Sequence, residues 1–150
     1  MTEPFRIELM PWSSAMPFAR AVREKVFVAE QGVPLELEWD EWDESSHHAV
    51  AFDSGSKPVG TGRLLPDGHI GRMAVLKPWR GRGVGAALLR ELLELARAKR
   101  MDMVKLNAQT HAAGFYRRLG FVVQGAEFIE AGIPHVAMWL RIGQAQEPGS

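Results

Sequence analysis

The hydrophobic pattern of this chain changes its period at Pro78, and that change constrains the fold more than any other feature. Before Pro78, apolar and alternating runs predict three strands joined by two tight turns: residues 48–53, 58–65 and 69–76, with turns at 53–56 and 66–68. After Pro78, apolar residues recur with helical spacing over 84–96, and a buried strand follows over 101–108. Strands joined by tight turns are antiparallel, whereas a strand, a helix and a strand in series predict a parallel crossover. We therefore predict a mixed sheet covered by helices.

Shorter patterns at both ends of the chain extend this sheet. They predict a strand at 5–10, a helix from 13 to about 30, a short helix at 112–119 and strands at 121–128 and 134–141. Ser13 and Ser14 offer the N-cap of the first helix, and Gly120 offers the C-cap of the short one. A length of 150 residues with 46% hydrophobic composition suits a single domain, and we expect its last residues, 144–150, to fray.

Composition excludes several classes of function. Eighteen basic and eighteen acidic residues give no net charge, so the whole molecule is not drawn to nucleic acid or to an anionic membrane. The absence of cysteine excludes disulfides, thiolate metal sites and a cysteine nucleophile, and the five histidines have no metal-ligand spacing. The sequence has neither a secretory signal nor an apolar stretch of about eighteen residues. We expect a cytoplasmic protein without a metal.

Charge is nevertheless unevenly distributed. Seven acids and no Lys or Arg lie between Glu30 and Glu44, whereas residues 71–100 carry eight basic residues and two acids. The acidic run has two interpretations, a solvated surface or one wall of a pocket that attracts a cationic amine.

A glycine-rich segment lies between the third strand of the meander and the long helix. Residues 80–85 read Arg-Gly-Arg-Gly-Val-Gly. Glycines let backbone N–H groups approach a ligand, the helix start presents unpaired N–H groups, and arginines add charged hydrogen bonds to phosphate oxygens. This segment predicts a phosphate-binding loop.

Three phosphate ligands compete for this loop. A nucleoside triphosphate is improbable, because Ala86 and Ala87 stand where a P-loop needs Lys and Ser or Thr. The sequence matches the dinucleotide-binding fingerprint, but residues 77–80 separate the loop from the preceding strand. In addition, Asp102 lies at the start of the next strand, whereas the fingerprint needs an acid at its far end. The third ligand is the pyrophosphate of coenzyme A.

Family resemblance supports the third ligand. The pattern Arg80-x-x-Gly83-x-Gly85 after Arg72-Met73-Ala74-Val75 resembles the acyl-CoA signature of the GNAT superfamily of N-acetyltransferases, and residues 115–121 resemble a second segment of that superfamily. Residues 23–34, the acids leading to His48 and residues 132–135 with Met138 resemble its small ElaA-like branch. The resemblance spans about residues 5–141. Trp39 and Trp42 depart from the branch pattern, and we expect them to reshape the acceptor pocket.

The resemblance implies an α/β (α+β) fold with six to seven strands and a splay between the fourth and fifth strands. It implies that acetyl-CoA enters this gap and pairs with the fourth strand, where the N–H of Ala74 or Val75 polarises the thioester carbonyl. The residues expected to bind the cofactor are Met73, Ala74, Val75, Arg80, Gly81, Arg82, Gly83, Val84, Gly85, Asn107, Phe115, Tyr116 and Arg118.

The same resemblance implies acetyl transfer directly to a primary amine. Tyr116 takes the position that faces the leaving sulfur, and a phenol with a pKa of about 10 more readily hydrogen-bonds a thiolate than protonates it. Glu30 and His48 are candidate bases for the amine, and both are expected at the acceptor site together with Gln31 and His135. An alternative from another class is a non-catalytic acyl-CoA sensor or partner-docking module on the same fold. The resemblance also allows a homodimer.

Overall fold

The computed structural model describes residues 4–143, and the predicted frayed tail lies outside these described residues. Its strands are β1 (Phe5–Pro11), β2 (His47–Asp53), β3 (Pro58–Leu64), β4 (Ile70–Val75), β5 (Met103–Gln109), β6 (Val122–Glu130) and β7 (Ile133–Arg141). Its α-helices are α1 (Trp12–Arg23), α2 (Leu35–Glu38), α3 (Val84–Ala98) and α4 (Ala113–Arg118). None of the helices in this range combines the length and the hydrophobicity that crossing a membrane requires.

The strands form two antiparallel sheets that diverge between β4 and β5. The first sheet has the order β1-β2-β3-β4, and the second has the order β5-β7-β6. Within residues 4–143 one parallel bridge, between His69 and Lys105, joins the sheets. Beyond that bridge, the edge of β4 that faces β5 is unpaired. The predicted α/β fold with its splay between the fourth and fifth strands is confirmed.

A bulge in β4 explains why the strands separate. Thr61 pairs with Ala74, whereas Arg63 pairs with Gly71, so β4 has one more residue than β3 over this interval. Arg72, within the bulge, adopts a left-handed φ of 51°. Because a bulge bends its strand and increases the local twist, β4 turns away from β5. Gly62 lies opposite, where a Cβ atom would overlap the sulfur of Met73.

Helices bury the two faces of the first sheet. On one face, α3 buries the apolar stripe that the sequence predicts, and this stripe packs with Tyr116 and Phe121 in the main core. On the other face, α1 packs Ala15 and Ala19 against β2. Together these contacts fix the position of β4, which forms one wall of the site described below.

The first helix differs from its prediction at both ends. The predicted N-cap at Ser13 and Ser14 is wrong, because α1 begins at Trp12 after Pro11 and has no side-chain cap. Burial of Trp12 against the ring of His48, at a centroid distance of 4.9 Å, places the helix start there. The helix does continue to Glu30, but the last seven residues, Glu24–Glu30, are π-helical. π-helical turns occur often at functional sites, and this one ends at the cavity.

Candidate active site

A cavity of about 810 Å³ opens where β4 and β5 diverge. Its walls come from β4, β5, the π-helical turn, α4 and the hairpin between β6 and β7. The volume is that of a ligand-sized pocket. Eight residues predicted to bind the cofactor line it: Met73, Ala74, Val75, Arg80, Gly85, Asn107, Phe115 and Tyr116.

The glycine loop adjoins one end of this cavity. Gly81 and Gly83 have left-handed φ angles of 78° and 85°, and a Cβ atom at either would meet nothing within 4 Å, so the loop backbone faces open space. Gly83 precedes α3 without any side-chain cap. The first N–H groups of α3 are therefore available to an anion, as the pyrophosphate of coenzyme A would require. Gly81, Arg82, Gly83 and Val84 belong to this loop but do not line the cavity itself.

Arg80 is held at the rim of the cavity by two partners. Its Nε donates to the carbonyl oxygen of Val75 at 2.9 Å. Its Nη1 and Nη2 donate to the two carboxylate oxygens of Glu30 at 2.6 and 2.7 Å. The hydrogen bonds from Arg80 lower the pKa of the Glu30 carboxyl. Glu30 is therefore ionised at neutral pH and occupies the face of Arg80 that a pyrophosphate would use.

Tyr116 reaches the cavity from α4. It is 9% exposed, and burial raises the pKa of its phenol to about 12. Among the residues that the structure describes, no group forms a hydrogen bond with its hydroxyl. Edge contacts with Phe115 and Phe121, at centroid distances of 5.0 and 5.8 Å, hold the ring in place. The side chain thus offers the cavity a protonated hydroxyl in a fixed position.

His135 lines the cavity from β7. Its Nδ1 lies 2.7 Å from the carbonyl oxygen of Ile133. Because a carbonyl oxygen only accepts, Nδ1 carries the proton, and the Nε2 of the neutral ring keeps its lone pair. The ring stacks on Phe128 at 5.9 Å, which fixes its plane.

Amide side chains link neighbouring walls of the cavity. Gln31, at the end of the π-helical turn, and Gln109, at the end of β5, exchange hydrogen bonds of 3.3 and 3.1 Å. Asn107 donates to the carboxylate of Glu130 at 3.2 Å. The sequence predicts that Asn107 has a polar partner, and this partner lies on the β6–β7 hairpin.

His48 and Arg118 do not line the cavity. His48 is fully buried in β2, where its ring lies against Trp12 and its Nε2 lies 2.8 Å from the carbonyl oxygen of Asp43. Burial lowers the pKa of this imidazole. His48 therefore supports the structure around Asp43, and the structure corrects its predicted place at the acceptor site.

Asp40 and Asp43 of the acidic run enter a buried ion cluster. Asp43 contacts Arg23 and Arg63, each at 2.9 Å, and Asp40 contacts Arg63 at 2.6 Å and Arg72 at 3.1 Å. Although burial alone raises the pKa of Asp43, its hydrogen bonds and proximity to both arginines hold that pKa below its usual value. These two acids are neither a solvated surface nor an open acidic pocket. Their charge is matched inside the protein.

Several polar residues of the cavity were not predicted as site residues, among them Arg72 and His69. Arg72 lies in the bulge of β4, and its place in the cavity depends on the irregular pairing of β4 with β3. His69 forms the parallel bridge with Lys105, and its Nδ1 is 3.0 Å from the carboxylate of Asp67. The turn sequence around Asp67 and the preceding strand pattern carry no signal for either position. Elsewhere in residues 4–143, no three His, Asp or Glu side chains are grouped as metal ligands.

Two diverging sheets with a cavity between them, and a glycine loop that opens a helix beside it, define an acyl-CoA-dependent acyltransferase. Residues 18–142 match the model of the acetyltransferase (GNAT) domain. The chain belongs to this family, as its motifs predict.

Known proteins are similar to this chain over most of its length. It is 46% identical over 121 residues to the uncharacterised N-acetyltransferase YjcF of Bacillus subtilis, covering 78% of this chain and 86% of that one. It is 31% identical over 132 residues to the protein ElaA of Escherichia coli, covering 83% and 86%. The crystal structure of ElaA superposes with a TM-score of 0.81 over 91% of this chain and 99% of that one, at 27% identity. An acyl-CoA N-acyltransferase from Pseudomonas aeruginosa gives a TM-score of 0.81 over the same shares, at 29% identity.

Proposed function

We propose that this acyltransferase moves the acetyl group of acetyl-CoA directly onto a primary amine. The proposal depends on one observation: the same cavity is lined by Arg80, the unpaired edge of β4, Tyr116 and His135. It offers a phosphate anchor, backbone groups for an extended arm, a hydrogen-bond donor and a proton acceptor in one space. Direct transfer between two bound reactants needs these groups and no covalent enzyme intermediate.

The cofactor-binding residues act through their backbone and charge. Arg80 and the loop 81–85 bind the pyrophosphate, because the loop N–H groups and the guanidinium both suit an anion. The edge of β4 at residues 73–75 is open to the extended pantetheine, which adds to it as a strand would, although the carbonyl oxygen of Val75 already accepts from Nε of Arg80. Asn107 and Phe115 border this arm, and Arg118 stays a predicted phosphate contact from outside the cavity lining.

The reaction forms a nitrogen–carbon bond and breaks the carbon–sulfur bond of the thioester that acetyl-CoA supplies. The N–H of Val75 stabilises the charge that develops on the carbonyl oxygen, because the backbone of Ala74 faces Thr61 on β3. The hydroxyl of Tyr116 donates a hydrogen bond to the departing sulfur, and because its pKa is about 12 it stays protonated throughout the useful pH range.

The amine must lose a proton, and His135 is the proton acceptor that this geometry favours. Because Nδ1 donates to the carbonyl oxygen of Ile133, Nε2 is the ring nitrogen that can accept a proton. Glu30, predicted as a base from the sequence, has both oxygens engaged by Arg80, and if the cofactor takes Arg80 the freed carboxylate is still a weaker base than an imidazole. Glu30 and Gln31 instead form the wall between the cofactor and the acceptor.

The replacement Tyr116→Phe tests the proposal. Acetyl-CoA binding is measured by calorimetry, and turnover is measured as thiol release in the presence of primary amines. We expect kcat to fall at least about tenfold while the affinity for acetyl-CoA changes less than about twofold. Arg90→Gln, on the exposed side of α3, is the control and should change neither quantity.

Two outcomes would contradict the proposal. Failure of the wild-type chain to bind acetyl-CoA would remove the cofactor and the function together. Binding of acetyl-CoA without turnover of any amine would favour the non-catalytic sensor, for which Tyr116 is only a packing residue.

A further inference from the structure

We propose that Arg72 binds a carboxylate on the acceptor, so that the substrate is an amino acid or another amine that carries a carboxylate. This inference rests on the proposed acetyl transfer and adds the chemical class of the acceptor. Arg72 is a specificity-determining residue in this reaction, because it contacts the substrate away from the amine that reacts.

The guanidinium of Arg72 forms hydrogen bonds through Nε and Nη2 but not through Nη1 within residues 4–143. Its Nε donates to the carbonyl oxygen of Glu38 at 3.2 Å, and its Nη2 donates to the carbonyl oxygen of Leu37 at 3.2 Å and to the carboxylate of Asp40 at 3.1 Å. Both N–H groups of Nη1 lack a partner within residues 4–143. The side chain is 25% exposed and lines the cavity, so its remaining donors are accessible to a ligand there. Three hydrogen bonds from Nε and Nη2 keep the guanidinium from rotating and leave the two hydrogens of Nη1 available.

The ion cluster contains more positive than negative charge. Three guanidinium groups, from Arg23, Arg63 and Arg72, share the two carboxylates of Asp40 and Asp43. Arg72 has the smallest part of this negative charge, because it contacts Asp40 alone and Arg63 contacts Asp40 more closely. One positive charge is therefore unmatched within the cluster.

The nearby Glu38 carboxyl does not supply the missing charge. Its side chain is fully buried, and neither of its oxygens accepts a hydrogen bond in the described chain. Its ion-pair contact is with Arg20, at 3.7 Å, on the side of α1. Burial raises the pKa of Glu38, which weakens it further as a counter-ion. For Arg72 itself, burial and then repulsion from Arg63 lower the pKa, as expected of a cation with too little negative charge nearby.

Other cations of the cavity are already engaged. Arg80 is paired with Glu30 and lies at the phosphate loop. The side chain of Arg63 is only 5% exposed and its Nη groups face Asp40 and Asp43. Arg72 is therefore the arginine of this lining that a small acceptor can reach. A planar guanidinium in a half-buried site binds a carboxylate more strongly than it would in water.

The experiment compares acetylation of paired primary amines that differ only in the carboxylate. The pairs are glycine with glycinamide, L-leucine with L-leucinamide and β-alanine with β-alaninamide, each assayed with acetyl-CoA. The amides have the more acidic ammonium groups and hence more free amine at neutral pH, so reactivity alone favours them. We expect the wild-type enzyme to prefer the acid in at least one pair by about tenfold or more in kcat/KM, as a hydrogen bond between charged groups commonly contributes.

Variants at Arg72 separate recognition from a structural role. Arg72→Gln should abolish the preference by lowering kcat/KM for the acid alone, while the affinity for acetyl-CoA stays unchanged. Arg72→Lys keeps the charge and should retain part of the preference. Arg90→Gln is the matched loss of an arginine outside the cavity and should retain all of it.

Each remaining outcome counts against one proposal or both. If the wild-type enzyme acetylates amides as well as acids, or if Arg72→Gln lowers both equally, Arg72 only ties α2 to β4, and the inference fails while acetyl transfer stands. If Arg72→Gln does not fold, equal loss of acid and amide turnover in Arg72→Lys overturns the inference in the same way. If no amine is acetylated although acetyl-CoA binds, both the inference and the proposed function fail.

Discussion

Arg80 has two competing anions, the carboxylate of Glu30 and, in the proposed complex, the pyrophosphate of the cofactor. The pair is bidentate, at 2.6 and 2.7 Å, but both side chains are more than one-third exposed. Exposed ion pairs contribute little free energy, so the cofactor can displace Glu30 at small cost. In the cofactor-free protein Glu30 thus holds the guanidinium at the rim and weakens cofactor binding slightly.

Replacing Glu30 should therefore strengthen cofactor binding. We expect Glu30→Gln to raise the affinity for acetyl-CoA by about two- to fivefold, because the competing charge is removed and exposed pairs contribute about 0.2–1 kcal/mol. Calorimetry measures the affinity. Glu8→Gln, which breaks an exposed pair with Arg6 far from the cavity, is the control. Weaker binding by Glu30→Gln would show that Glu30 orients Arg80 for the cofactor instead of competing with it.

At the scale of elements, the bulge in β4 shapes one wall of the cavity, and Gly62 on β3 lies opposite this bulge. A Cβ atom there would overlap the sulfur of Met73 and come within 3.2 Å of Leu92. We expect Gly62→Ala to lower the free energy of unfolding by about 1–3 kcal/mol, as overpacking does, and to raise the KM for acetyl-CoA because Met73 must move. Urea denaturation and steady-state kinetics measure the two effects.

Gly71 is a matched control on the same pair of strands. A Cβ atom at Gly71 meets nothing within 4 Å, and its φ is not left-handed. Gly71→Ala should leave the free energy of unfolding nearly unchanged. Equal destabilisation by both alanines would mean that the bulge responds to any loss of glycine and not to contact with Met73.

Elements with a local signal were predictable from the sequence, and long-range pairs were not. The meander, the stripe of α3 and the loop 80–85 follow from turn chemistry and periodicity, and all are present. The splay came only from family resemblance, because the left-handed residue of the bulge is Arg72 and not a glycine that would signal it. The acidic run was ambiguous because the partner of Asp43, Arg63, lies twenty residues away on another element. Site roles, the homodimer and the cytoplasmic location stay predictions.

Across the whole molecule, the ion cluster joins α1, the segment after α2, β3 and β4 through Asp40 and Asp43. Removing one member of a buried pair leaves the other charge without compensation, which commonly costs about 3–5 kcal/mol. We expect Asp43→Asn to lower the free energy of unfolding by about this amount, because Arg23 and Arg63 both lose a carboxylate. Urea denaturation measures the loss. The exposed neighbour Glu41→Gln is the control, and a comparably small effect of both variants would show that water reaches the cluster.

Stability should also fall as the solution is acidified, and the cluster determines the range. Burial lowers the pKa of His48, and arginine contacts outweigh burial to lower the pKa values of Asp40 and Asp43. A lowered pKa means that the unfolded chain binds the proton more readily, so acid favours unfolding. The contribution of His48 is lost as pH falls below its ordinary value of 6.5, and that of the aspartates as pH falls below 3.8 towards their folded values.

Glu38 acts in the opposite direction, because burial raises its pKa above the ordinary value of 4.5. Its contribution is complete below that value and is lost as pH rises through the folded pKa. Because more of the described groups have lowered pKa values than raised ones, we expect the Tm, measured by scanning calorimetry, to fall on acidification from neutral pH in spite of Glu38. Glu38→Gln should raise the Tm at neutral pH and lose this advantage below about pH 4.5, where the wild-type carboxyl is already protonated. A Tm that rises on acidification would mean that protonation of Glu38 outweighs the losses at His48, Asp40 and Asp43. A Glu38→Gln variant less stable at neutral pH would mean that Arg20 and Arg23 keep Glu38 ionised and that its charge stabilises the cluster.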